Sequence, residues 1–272
     1  MSNILPLFQY AFIQRALIAG VFLGLLCALL GVFLVLRRMS LIGDGLAHVS
    51  FGALALGLFV GIYPFYVAIP VVIIASIGIQ YLVRTTTIDG DAAIGILSAL
   101  GIAVGVVLAS LSNGFNIDLF SYLFGNILAI SQLELYLSIV LSGIILGVFI
   151  LYYHELVAVT FDEEQARISG INTSLIQTVL SVLTAVTVVL SIRMVGTLLV
   201  SALLIIPAST ALQVSSGFGQ ALRRTTLISI VSVIVGILTS FVLDIPSGAS
   251  IVLMNGFFFV IVLGTKVFAV YR

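Results

Sequence analysis

Long apolar blocks broken by short polar turns run along nearly the whole chain, and within the blocks Asp, Glu, Lys and Arg are absent. They lie at 16–36, 45–62, 64–83, 92–111, 135–153, 172–192, 194–214, 225–243 and 247–265. Each holds about 18 to 22 residues, enough for a helix rising ~1.5 Å per residue to cross ~30 Å of hydrocarbon. The pattern predicts nine membrane spans. A tenth apolar piece, LFSYLFGNILAI at 119–130, has 12 residues and is too short to cross, which predicts a re-entrant or surface-lying helix. The expected fold is an all-α integral membrane protein, a polytopic bundle of about nine spans plus one short helix, in a single domain over 1–272.

Composition strengthens this reading. Hydrophobic residues make up 62% and charged residues 7%, far from the soluble balance of about half apolar and a quarter charged. The first block runs into Arg37 and Arg38 without a small-residue cleavage pattern, so it reads as a retained span rather than a signal peptide. Runs such as GALALG and SALGIAVG space small residues about four apart, as close packing between membrane helices requires.

Ten basic and ten acidic residues leave no net charge to attract nucleic acid, so the position of each charge carries the information. With the C-terminus cytoplasmic and nine alternating spans, the inner segments collect Arg37, Arg38, Arg84, Arg167, Arg223, Arg224, Lys266 and Arg272. Only Arg15 and Arg193 fall outside. The N-terminus is then external, and the longest inner segments are 37–44 and 154–171. A fully crossing 119–130 would put Arg37, Arg38 and Arg84 outside, which counts against that topology.

Several chemistries are excluded. Cys27 is the one cysteine, so no intramolecular disulfide or CxxC site exists, and the thiol reads as a small core hydrophobe. HELVA at 154–158 begins like a zinc-protease motif but has Ala158 where the second histidine would stand. Neither a phosphate-binding G-x-x-x-x-G-K-[ST] loop nor a G-x-S-x-G elbow occurs. The chain is expected not to be an enzyme, and any ATP hydrolysis must reside on another subunit.

Three stretches carry candidate function. In IGDGLAHVS, Asp44 and His48 are four apart on one helix face, with Cβ atoms ~6 Å apart, so a carboxylate and an imidazole can share a divalent ion. Alternatively Asp44 caps the second span through the amides of Leu46 or Ala47; ionisable groups within a membrane favour the functional reading, and one carboxylate can serve both roles. In FDEEQARISGI, Asp162 reads as an N-cap with Gln165 three later, Glu163 and Glu164 suit the positive helix end, Arg167 lies in the last turn, and Gly170 reads as the left-handed stop. This is a short self-contained helix, either a mere connection or a knob for a neighbouring protein. In GTLLVSALLIIPASTAL, Pro207 frees the Leu203 carbonyl and predicts a kink that Ser209 and Thr210 can re-satisfy; a pore-lining kink and a packing irregularity are equally served.

Together these stretches resemble the membrane permeases of bacterial ABC importers for zinc, manganese and iron, relatives of the cobalamin and siderophore permeases (type II importers). The matching segments are LRRMSLIGDGLAHVSFGALALG, GDAAIGI, DLFSYLFGNILAI, FDEEQARISGI and VGTLLVSALLIIPASTA, in order along most of the chain. The resemblance implies a homodimer in the bacterial cytoplasmic membrane with the path at the subunit interface. It also implies two cytoplasmic ATP-binding subunits and an external metal-binding protein. Asp44 and His48 map onto the family's proposed metal ligands, and 162–170 onto the coupling helix that docks on the ATPase. The cargo would be Zn2+ or Mn2+, with Fe2+ or a chelated metal as alternatives, and no permanently bound cofactor is expected.

Two other classes compete. An ion-gradient-driven metal transporter needs a relay of buried carboxylates, whereas Asp89, Asp91, Asp118, Glu134, Glu155 and Asp244 are expected at helix ends or in loops. A membrane metalloenzyme needs more fixed ligands than two histidines, one of them the distant His154, readily supply.

Overall fold

A computed structural model describes residues 10–112, 117–127 and 130–270, with only the backbone considered at 117–120 and 267–270. Among these residues there is no strand. The elements in chain order are α1 (Ala11–Leu36), α2 (Ile42–Val60), α3 (Pro64–Thr85), α4 (Gly90–Leu111), α5 (Ile117–Phe124), α6 (Gln132–Leu151), α7 (Tyr153–Phe161), α8 (Glu163–Ile168), α9 (Thr173–Val195), α10 (Val200–Val214), α11 (Phe218–Leu243) and α12 (Ser247–Val270). Eight helices have the length and apolar character to cross a membrane, and α10 is a shorter apolar helix.

Charge places most boundaries, with shifts where an end charge finds a partner. Helix α1 starts a turn before the apolar block because Arg15 is accommodated at its end, where Nε donates to the Ala11 carbonyl and Nη1 to that of Ile130. Helix α11 likewise begins before its block and carries Arg223 and Arg224 on its first turns. Helix α2 stops at Gly61, whose φ of 75° supplies the left-handed turn.

Two expectations need correction. The segment after α6 is not a plain loop, because α7 occupies most of it and HELVA sits on that helix. The block 194–214 is not one continuous helix: Met194 and Val195 complete α9, and helix resumes only at Val200. An apolar run gives no sign of such a break. Gly196 makes it, with φ 87° and ψ 159°, a conformation essentially reserved for glycine.

The break is filled by α5. The Thr197 amide donates to the Tyr122 carbonyl at 2.9 Å, that of Leu198 to Leu123 at 3.4 Å, and that of Asn126 to Arg193 at 3.0 Å. Here α5 is stitched to a distant interruption, which satisfies backbone groups that hydrocarbon would leave stranded. A Cβ on Gly196 would stand 2.3 Å from the Leu123 oxygen, so the two backbones meet only because that atom is missing. The short-helix expectation holds for Ile117–Phe124; positions 128 and 129 of the predicted piece lie outside the described residues.

Beside the break, Glu134 on α6 holds Arg193 of α9 at 3.1 Å, with the carboxylate side chain 6% exposed. The same carboxylate accepts from the Ser131 amide and closes a capping box, while the guanidinium lies over the Tyr122 ring. Burial, followed by the facing Glu134 carboxylate, raises the Tyr63 hydroxyl above its ordinary range. Cys27 is fully buried against Ser191, as a small core residue.

Candidate functional site

Helix α2 is held in one rotational setting by close backbone contact. Its Gly52 packs on Gly101 of α4, where a Cβ on Gly52 would come within 2.4 Å of the Gly101 carbonyl oxygen. That side of α2 continues through Gly45 against Ile94. Asp44 and His48, one turn apart, are offset from this seam and face elsewhere.

The Asp44 Oδ2 lies 3.5 Å from the His48 Nε2, with the two side chains 45% and 20% exposed. The Ser201 hydroxyl on the first turn of α10 donates to Asp44 Oδ1 at 3.4 Å. Gly43 makes this approach possible by leaving room for Leu204 and the Ser201 backbone. Asp44 is not a cap: α2 begins at Ile42 with Leu41 in the N-cap position, and no side chain caps that end. The carboxylate is therefore left to face His48 and Ser201.

Two ligands each about 2.1 Å from an ion stand about 3.4 Å apart when the angle at the ion is tetrahedral. The observed pair already has that separation, so an ion can be taken up with little rearrangement. Among the described residues no cluster of three or more His, Cys, Asp or Glu is placed to hold a metal. Ser201 was not legible as a neighbour because it lies 157 positions away in sequence.

Pro207 is buried in α10, which runs unbroken through it. The Thr210 hydroxyl donates to the Ile206 carbonyl, not to the Leu203 carbonyl freed by proline. Ser209 is half-buried on the same helix. These residues are not brought to the Asp44–His48 pair by any described contact; what reaches it from α10 is Ser201.

The 162–170 stretch forms the expected helix. Asp162 accepts from the Gln165 amide at 2.8 Å, and Gly170 has φ 86°. The reciprocal half of a capping box is absent, because α7 runs up to this point and the Asp162 amide is already used on Ala158. Glu164 and Arg167 are exposed, and only Ala166 of this helix is buried. Phe161, the last residue of α7, and Ile168, the last of α8, are 62% and 81% exposed. Glu163 accepts from Arg37 at 3.2 Å and from Gln177 at 2.7 Å. Burial lowers the Arg37 guanidinium from its ordinary range, and Glu163 opposes the fall.

This arrangement can be set against known proteins. Residues 9–266 match the model of the ABC 3 transport family. The manganese transport system membrane protein MntC of Halalkalibacterium halodurans is 33% identical over 93% of this chain and 88% of its own length. The high-affinity zinc uptake system membrane protein ZnuB of Haemophilus influenzae is 34% identical over 90% of this chain and 94% of its own. Among solved structures, PsaBC from Streptococcus pneumoniae in complex with Fab superposes with a TM-score of 0.85 at 31% identity, over 94% of this chain and 92% of that one. An inward-facing putative metal-chelate type ABC transporter shares the fold, with a TM-score of 0.75 at 17% identity. The chain belongs to the ABC 3 transport family.

Proposed function

We propose that this protein is the permease subunit of an ATP-driven importer of a divalent transition metal, manganese or zinc, and that Asp44 and His48 hold the ion in transit. The observation that supports this reading is the Asp44 carboxylate, 45% exposed, lying 3.5 Å from the His48 imidazole, 20% exposed, on the same face of α2. The relatives named for manganese and for zinc transport support the choice of cargo. A carboxylate with an imidazole suits either ion.

The driving force comes from outside the chain. In this reading two such subunits form the path at their interface, each with a cytoplasmic ATP-binding subunit, and an external binding protein delivers the metal. The exposed 161–168 stretch, which carries the apolar Phe161 and Ile168, is the knob that meets the ATPase. ATP binding moves that knob, and the interface changes the side to which it opens. The N-terminus lies outside and the C-terminus in the cytoplasm.

The test is uptake of labelled manganese and zinc by cells expressing the permease with its ATPase and binding protein. Wild type should accumulate one of the two ions. Asp44→Asn and His48→Ala should each lose uptake by roughly two orders of magnitude, in line with removal of a ligand or its partner, while the complex still purifies intact. Near wild-type uptake by both variants overturns the assignment of the pair.

A further inference from the structure

The α8 helix buries only Ala166, in the apolar core, and beside that contact a polar one joins it to the membrane-embedded helices. That polar contact is a chain of side chains. Arg84, at the end of α3, donates to the Ser174 hydroxyl and carbonyl and to Gln177 Oε1 at 3.1 Å. Gln177 of α9 donates through Nε2 to Glu163 Oε1, and Arg37 donates to Glu163 Oε2. The Arg37 side chain is 10% exposed and its Nη1 has no partner among the described residues, where Glu163 is the carboxylate that compensates its charge.

Beyond Arg37 the path to the metal pair is short. Arg37 and Arg38 donate their amides to Phe33 and Val35, Met39 to Leu34, Ile42 to Met39, and Gly45 to Leu41, a run of turn bonds that leads into the first turn of α2. Arg38 is held at φ 58°, a left-handed conformation that a non-glycine residue keeps only when its surroundings fix it. A displacement of Glu163 is thus delivered to the helix that carries Asp44 and His48.

We propose that Arg37 is the positioning residue that transmits movement of the α8 helix to the metal-bearing helix, through its pair with Glu163. The proposal rests on the transport reading and adds to it the contact by which ATP use is converted into opening of the path. Truncating Arg37 leaves Glu163, which is half exposed, hydrated and still bonded to Gln177, so no buried charge is stranded.

The experiment uses the purified complex of permease and ATP-binding subunits in proteoliposomes with the binding protein present, and reads manganese or zinc moved per ATP hydrolysed. Arg37→Gln should assemble normally and keep its hydrolysis rate, while ions moved per ATP fall roughly tenfold, within the range that single substitutions on a coupled network produce. Arg37→Gln with Glu163→Gln should be no worse than Arg37→Gln alone, because both changes cut one link. An unchanged ratio in Arg37→Gln, additive losses in the double variant, or loss of assembly together with both activities would each overturn the proposal. A wild-type complex that moves neither ion overturns the transport reading, and this inference with it.

Discussion

Glu134 and Arg193 form a pair that water barely reaches, and their worth appears when one partner is removed. Glu134→Ala leaves the Arg193 guanidinium buried beside Tyr122 and opens the capping box of α6. The expected cost is about 3 kcal/mol, read as a lower melting midpoint of the detergent-solubilised protein, with Glu134→Gln losing less. A midpoint unmoved by Glu134→Ala would mean that solvent reaches the arginine after all. Single residues were legible in the sequence in proportion to how local their chemistry is. Asp44 and His48 could be paired because helix geometry fixes neighbours four apart, and Asp162 because its hydrogen bond goes three residues ahead. Glu134 and Arg193 read only as end charges, and Glu163 as a complement to the helix dipole, because their partners come from other helices.

The element that departs most from its sequence pattern is the span interrupted at Gly196. Apolar residues continue through the interruption, so hydropathy registers membrane but not helix, and only the glycine marks the place. Gly196→Ala would force an alanine into a glycine-only conformation and press its Cβ onto the Leu123 oxygen. A loss of at least about 2 kcal/mol is expected, measurable as a shifted thermal or denaturant midpoint, whereas Gly147→Ala, inside α6 with open space around it, should lower neither. Helix α7 was missed for a different reason. At nine residues with two acids or histidines near its start, it has neither the length of a span nor the cap signals that exposed α8.

At the scale of the whole molecule, the count of spans follows from charge-free length, and among the described residues eight of the nine predicted blocks appear as helices long and apolar enough to cross. Which side each end faces was argued from the arginines and lysines, and it can be measured. Cys27 is completely buried against Ser191, so a membrane-impermeant maleimide should find no background in the folded chain. Ser112→Cys, after α4, should label in intact cells, and Ser216→Cys, between α10 and α11, only after the membrane is opened; the reverse pattern would invert the topology. One consequence of the α5 suture concerns length rather than composition. Its three backbone bonds to 193–198 depend on spacing along the chain, and side-chain identity enters at Gly125 and Gly196, with φ 73° and 87° and no room for a Cβ. A residue inserted or deleted between Tyr122 and Asn126 would slip the whole row at once and reopen the interruption to lipid. Indel scanning should therefore find this stretch intolerant even where many substitutions pass, a constraint on chain counting that no hydropathy profile records.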